Sequence, residues 1–101
     1  MTKAEKLLVR RELGKLMKED LERAGRDANW LSHQIHVKPV VVRHMLNGAP
    51  NPTRLEYEKA FSRLELPRKR KHHMLYLLDV FSPSKPIREF SRSDNSDKIA
   101  G

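Results

Sequence analysis

The side chains in this sequence suited to acid–base or metal chemistry, its histidines and thirteen carboxylates, do not gather into a recognisable set. There are five histidines, His33, His36, His44, His72 and His73, and no cysteine. His33 and His36 share a helical face, but no thiol and no suitably spaced carboxylate completes a metal set beside them. There is no Gly-rich phosphate loop, and no Ser stands in a recognisable nucleophile motif. These residues argue against an enzyme and against a cofactor, a metal site or a small-molecule substrate. The lack of Cys also excludes a disulfide scaffold.

The sequence does supply positive charge. Lys and Arg total 21 against 13 for Asp and Glu, a formal net charge of +8 over 101 residues. Such a balance attracts polyanions through counterion release, and it serves solubility as well. The densest cluster is Arg68-Lys69-Arg70-Lys71-His72-His73, where a helix is expected to begin. Cations at a helix start oppose its macrodipole by on the order of a few tenths of a kcal/mol each. Either the run serves nucleic acid or the helix starts later. Pro67 to Lys71 also has the composition of a nuclear import signal, a common kind of run. The longest apolar run, Met74 to Leu78, is far short of the roughly 20 residues of a membrane span. The start, MTKAEKLL, lacks the uninterrupted apolar stretch of a secretory signal. A cytoplasmic, nucleoid-associated protein with no membrane partner is expected.

The length suits one domain. Thr2 to Ala24 reads as a long helix opened by a Thr2/Glu5 capping box. Leu13, Leu16, Met17, Leu21 and Ala24 follow helical spacing, with Leu7 and Leu8 as extensions of the same face. Gly14 costs up to about 1 kcal/mol there relative to Ala, which leaves a break open. Gly25 is placed to terminate the helix. Asp27 is a good N-cap for a short helix, Ala28 to Ile35, with Trp30, Leu31 and Ile35 apolar. After His36-Val37-Lys38, Pro39 suits the first position of a third helix running to about Leu46. Asn47-Gly48 ends it, and Ala49-Pro50-Asn51-Pro52 forms a rigid loop. Val40-Val41-Val42 has strand propensity, which Pro39 and the helix-length frame outweigh. A second capping box, Thr53/Glu56, starts a helix with Leu55, Tyr57, Ala60, Phe61 and Leu64 apolar. Pro67 breaks the chain before a fifth helix, Arg68 to Phe81, carrying Met74, Leu77, Leu78 and Phe81 at i, i+3, i+4 and i+7. There is no internal repeat and no strand-like alternation. In residues 82–101 only Ile87, Phe90 and Ile99 are large and apolar, and the stretch reads as a flexible tail to a domain over 1–81.

Helices two and three are short and about three residues apart, the spacing of a helix-turn-helix, whose second helix enters the major groove. The pattern Leu13-Gly14…Ala24-Gly25, Leu31…Ile35-x-Val37, Val42…Asn47-Gly48-x-x-Asn51-Pro52-Thr53 and Leu64-x-Leu66 falls into register without a gap. On these residues the stretch from Leu13 to Leu66, about half of the chain, resembles the lambda-repressor-like (Cro/C1, XRE-type) helix-turn-helix family. The resemblance implies an all-α, five-helix lambda-repressor-like domain. It also implies a sequence-specific transcriptional regulator of double-stranded DNA, bacterial or phage in type. Repression by blocking polymerase is the simplest mechanism for so small a module.

By the same resemblance, Val42 and Met45 occupy core positions of the recognition helix, and Lys38, Val40, Val41, Arg43 and His44 face outward. The implied base readers are Lys38, Val40, Val41 and His44, with Arg43 on a flank. A Val can pack on a thymine methyl, and a His ring N–H can meet a guanine acceptor. Lys38 or Arg43 can read guanine or hold a phosphate. Arg26 and Asn29 flank the start of helix two, where backbone N–H groups can meet a phosphate. Asn47, Asn51 and Arg54 surround the far end of the recognition helix and are further phosphate candidates. A solvated surface role is the alternative for each of these, and packing within the chain is the alternative for Val40 and Val41. The sequence departs from the family pattern in four places. Ala28 and Asn29 stand where Gln is usual, His36 where Gly is usual, and Ala49 and Pro50 where a basic residue is common. The recognition helix, usually polar in the family, begins Lys38-Pro39-Val40-Val41-Val42.

The fifth helix is apolar nearly all round from Met74 to Phe81. Leu75, Tyr76, Val80 and Phe81 are candidates for a homodimer interface, matching two-fold binding to half-sites about one helical turn apart. Cover by the long first helix is the alternative. Two other functions stay open. One is a protein-interaction module, an antirepressor or regulatory cofactor, that docks Val40 and Val41 on another regulator. The other is a non-specific nucleic-acid binder, RNA included, working through Arg68 to Lys71.

Overall fold

Local chemistry sets most of the helix boundaries. A computed structural model describes residues 2–83, which form α1 (Lys3–Arg23), α2 (Ala28–Ile35), α3 (Pro39–Asn47), α4 (Arg54–Arg63) and α5 (Arg68–Phe81), with no strand among them. Thr2 Oγ1 accepts from the Glu5 N–H at 3.1 Å while the Thr2 N–H donates to Glu5 Oε1 at 2.8 Å. Thr53 and Glu56 repeat this box at the start of α4. The Asp27 carboxylate accepts from the Trp30 N–H at 2.9 Å. Pro39 opens α3 without a side-chain cap. Gly25 and Gly48 take left-handed φ values of 70° and 77° after α1 and α3. There the Arg26 N–H reaches the Leu21 carbonyl at 2.8 Å and the Ala49 N–H the His44 carbonyl at 3.0 Å, which satisfies carbonyls the helix leaves unpaired.

In their principal contacts α1 packs on α3 and α5, α2 on α3 and α4, and α4 on α5. The helices thus close a ring in the order α1-α3-α2-α4-α5, and each sends side chains into the middle. Leu13, Met17 and Leu21 come from α1, Leu31 and Ile35 from α2, and Val42 and Met45 from α3. Tyr57, Ala60 and Phe61 come from α4, and Met74, Leu77 and Leu78 from α5. No helix of the described residues is long and apolar enough to cross a membrane.

The tightest point is the crossing of α1 and α3. A Cβ on Gly14 would lie 2.5 Å from the Leu46 carbonyl oxygen and 2.6 Å from that of Met45. A Cβ on Gly48 would lie 2.7 Å from Arg11 Cγ. The break entertained at Gly14 does not occur: α1 runs unbroken, and the missing side chain lets two backbones touch. Arg10 locks the same crossing, its Nε donating to the Gly48 carbonyl at 3.0 Å. The Arg10 guanidinium also sits 5.8 Å from the centre of the Phe81 ring, which packs edge-on to Tyr57 at 5.6 Å.

A second clasp joins α5 to α1. The Asp20 side chain is only 3% exposed, and its Oδ1 accepts from Arg70 Nε at 2.7 Å and Arg23 Nη1 at 2.8 Å. Arg70 Nη2 also reaches the Leu16 carbonyl at 3.1 Å. The start of α5 therefore falls at Arg68 and not later, and Arg70 of the basic run belongs to this clasp.

Some expected core positions lie elsewhere. Leu8 and Leu55 are exposed because each lies on the far side of its helix from the residues that reach the core; Val9 continues the apolar face of α1 instead. Ala24 is exposed just beyond the last turn of α1. The expected tail lies outside the described residues except for Ser82 and Pro83, as do Ile87, Phe90 and Ile99.

Gly14→Ala tests the crossing. Ala is the better helix former by about 1 kcal/mol, yet the variant should lose roughly 2 kcal/mol or more to overpacking against backbone, read by urea denaturation. Tyr57 offers a pH test. Its hydroxyl is buried without a partner, and burial pushes its pKa from 10.0 up to about 12 although the Arg10 charge pulls the other way. The folded state keeps a proton that the unfolded chain releases. This contribution to stability is complete below pH 10 and declines as pH rises towards 12. Tyr57→Phe should be neutral or more stable by up to about 1 kcal/mol at pH 7. It should also flatten the alkaline loss in denaturation curves taken across that range.

Candidate nucleic-acid interface

The site begins with the turn between α2 and α3. His36 adopts a left-handed conformation, φ 58° and ψ 46°, and its N–H donates to the Ser32 carbonyl. The Val37 N–H donates to the same oxygen at 3.1 Å, and the Val37 side chain packs on the core. Lys38 is extended and Pro39 starts the next helix. Three residues therefore reverse the chain. Leu31 and Ile35 then lie against Val42 and Met45, all buried, so the two short helices share one apolar seam.

Anchoring Val42 and Met45 inward fixes what faces out. Val40, Arg43, His44 and Asn47 fall at i, i+3, i+4 and i+7, one stripe along α3. Lys38, Arg43 and Asn47 are exposed, Val40 is 40% exposed, and His44 is half-buried. Val41 lies off this stripe, half-buried and packed against the core.

The proposed phosphate residues divide. Arg26, Asn29, Asn47 and Asn51 are exposed. The Arg26 guanidinium lies over the Trp30 ring at 4.8 Å from its centre, next to the start of α2. Arg54 is placed differently. Its side chain is mostly buried, paired with Glu58 at 2.9 Å and Asp79 at 2.6 Å, and it donates to the Ser82 carbonyl. It ties the start of α4 to the end of α5, so its guanidinium is not presented to a ligand. A basic recess that the sequence reading did not single out lies beside the loop after α3, lined by Lys3, Lys6, Arg10 and Pro50. Its only sequence signal is the i, i+3, i+7 spacing of the three cations along α1. No three of His, Asp and Glu gather as a metal set among the described residues.

On α5, Tyr76 is 64% exposed and Val80 half-buried. Leu75 and Phe81 pack against the core, which leaves Tyr76 and Val80 as the apolar part of the outer face. In comparisons with known proteins, no family model, no curated protein and no solved structure matches this chain.

The turn geometry has a measurable consequence. A side chain in the left-handed region costs roughly 1 kcal/mol that Gly does not incur. His36→Gly should therefore raise stability by about that amount in thermal or denaturant unfolding.

Proposed function

We propose that this chain binds double-stranded DNA in a sequence-dependent manner, by placing the outer stripe of α3 in the major groove, and that it acts as a transcriptional regulator. The observation that carries this reading is the pair α2–α3. It consists of two short helices held together by a buried seam across a three-residue turn, with Val40, Arg43, His44 and Asn47 on one stripe of the second helix. A helix of this kind fits a groove about 12 Å wide. Arg43 and His44 are the polar base readers, Val40 meets a thymine methyl, and Lys38 serves either a base or a phosphate. Arg26, Asn29, Asn47 and Asn51 stand at the two ends of the pair, where phosphates would pass, and Lys3 and Lys6 add charge on the same side as the loop after α3. The net charge of +8 supports a polyanionic partner. The ordered residue pattern from Leu13 to Leu66 supports a lambda-repressor-like helix-turn-helix assignment. Tyr76 and Val80 are the residues of α5 we assign to a homodimer contact.

One observation favours a second reading. Val40 is 40% exposed at the start of α3, an apolar group where a protein partner could dock. In that case the fold serves as an interaction module and α3 meets another regulator.

Selection from a random double-stranded DNA pool at near-physiological salt separates the two. The DNA reading expects a two-fold site held on the order of 10³-fold more tightly than scrambled DNA. It further expects Arg43→Ala with His44→Ala to relax base preference within each half-site. Absence of enrichment, with all binding lost on modest addition of salt, would defeat it and leave the interaction module.

A further inference from the structure

A separate recess lies between the end of α2 and the face of α4. It holds about 180 Å³ and is lined by Gln34, Ile35, His36, Lys59, Ser62 and Arg63. We propose that it is a binding site for a phosphate-class oxyanion. The proposal does not depend on how α3 is used.

Three observations converge on this recess. First, its polar lining consists of two permanent cations, an imidazole, an amide and a hydroxyl, with no carboxylate. Second, Lys59 and Arg63, like most cations among the described residues, form no ion pair; Arg23, Arg54 and Arg70 are the ones that do. They sit one turn apart on α4, where like charges repel. An anion between them would remove that repulsion and supply the missing counter-charge. Third, His36 brings its ring to the recess from a left-handed backbone position that a side chain occupies only at a cost. An exposed imidazole at that position can add an N–H donor to the cationic pair. The volume suits one tetrahedral anion with some of its water. Such an anion can come from a free phosphorylated small molecule or from a nucleic-acid backbone, and the test distinguishes these sources.

The test is a nitrogen–proton NMR titration of the full chain with inorganic phosphate at constant ionic strength, with chloride as the control. The expected result is a saturable shift centred on the amides of His36, Lys59, Ser62 and Arg63, absent with chloride. The double variant Lys59→Gln with Arg63→Gln should lose it while keeping a dispersed, folded spectrum. His36→Gly, which relieves the backbone strain and so should fold, is expected to weaken phosphate binding several-fold. Shifts that never saturate, that spread over all basic surfaces, or that persist in the double variant would overturn the proposal. Double-stranded DNA then assigns the source. If the double variant also loses DNA affinity, with the salt slope shallower by about 1, the recess takes a backbone phosphate. If DNA affinity is unchanged while phosphate binding is lost, the site belongs to a free anion.

Discussion

The backbone contact between α1 and α3 is the constraint on which the rest of the arrangement depends. Two helices carrying ordinary side chains pack with their axes about 8–10 Å apart. Here Gly14 on one helix and Gly48 at the end of the other leave no side chain in the way, and the carbonyls of Met45 and Leu46 come within contact of α1. Once α3 is pressed onto α1, its inner residues Val42 and Met45 must point into the ring, and its opposite stripe must point out. α2 is then set by its seam with α3, and α4 by its contact with α2. The Arg10 hydrogen bond to the Gly48 carbonyl holds the crossing in place, and the Phe81 ring beneath the same guanidinium extends its reach to α4 and α5.

The positive charge divides into cations that bind other elements of the chain and cations left unpaired. Arg10, Arg54 and Arg70 join one element to another, and Arg23 helps to hold the buried Asp20 carboxylate. A buried pair such as Asp20–Arg70 is weak evidence for net stability, because both groups give up hydration. Its clearer effect is geometric: a mostly buried carboxylate with a fixed partner permits one placement of α5 along α1. Lys3, Lys6, Lys38, Arg43, Lys59 and Arg63 are among the cations that form no ion pair among the described residues. They occur at the loop after α3, along α3, and at the recess between α2 and α4.

Helix boundaries were legible in the sequence because their causes are local. Thr2 with Glu5, Asp27, Pro39, Gly48, and Thr53 with Glu56 each act within three or four residues, and each marks a boundary where the structure has one. Most core residues were legible for a related reason, since helical periodicity selects one face. Periodicity fails as a guide at Leu8 and Leu55, which lie off the inward face of their helices, and at Ala24, where the helix has ended.

Five helices, most of their ends, their inward faces and an excess of positive charge are all set by neighbours along the chain. Which charges remain unpaired is set instead by how the helices close on one another. Arg54 looked like a phosphate contact and is taken up by Glu58 and Asp79. Arg70 looked like part of a binding run and is taken up by Asp20. Lys3 and Lys6 drew no notice and flank the loop after α3. The same holds for Gly14, a weak point in an isolated helix and a necessity where another backbone crosses it. The partners of these side chains lie from about 20 to 50 residues away along the chain, except for Glu58, and no local pattern encodes a meeting that depends on how five helices close into a ring.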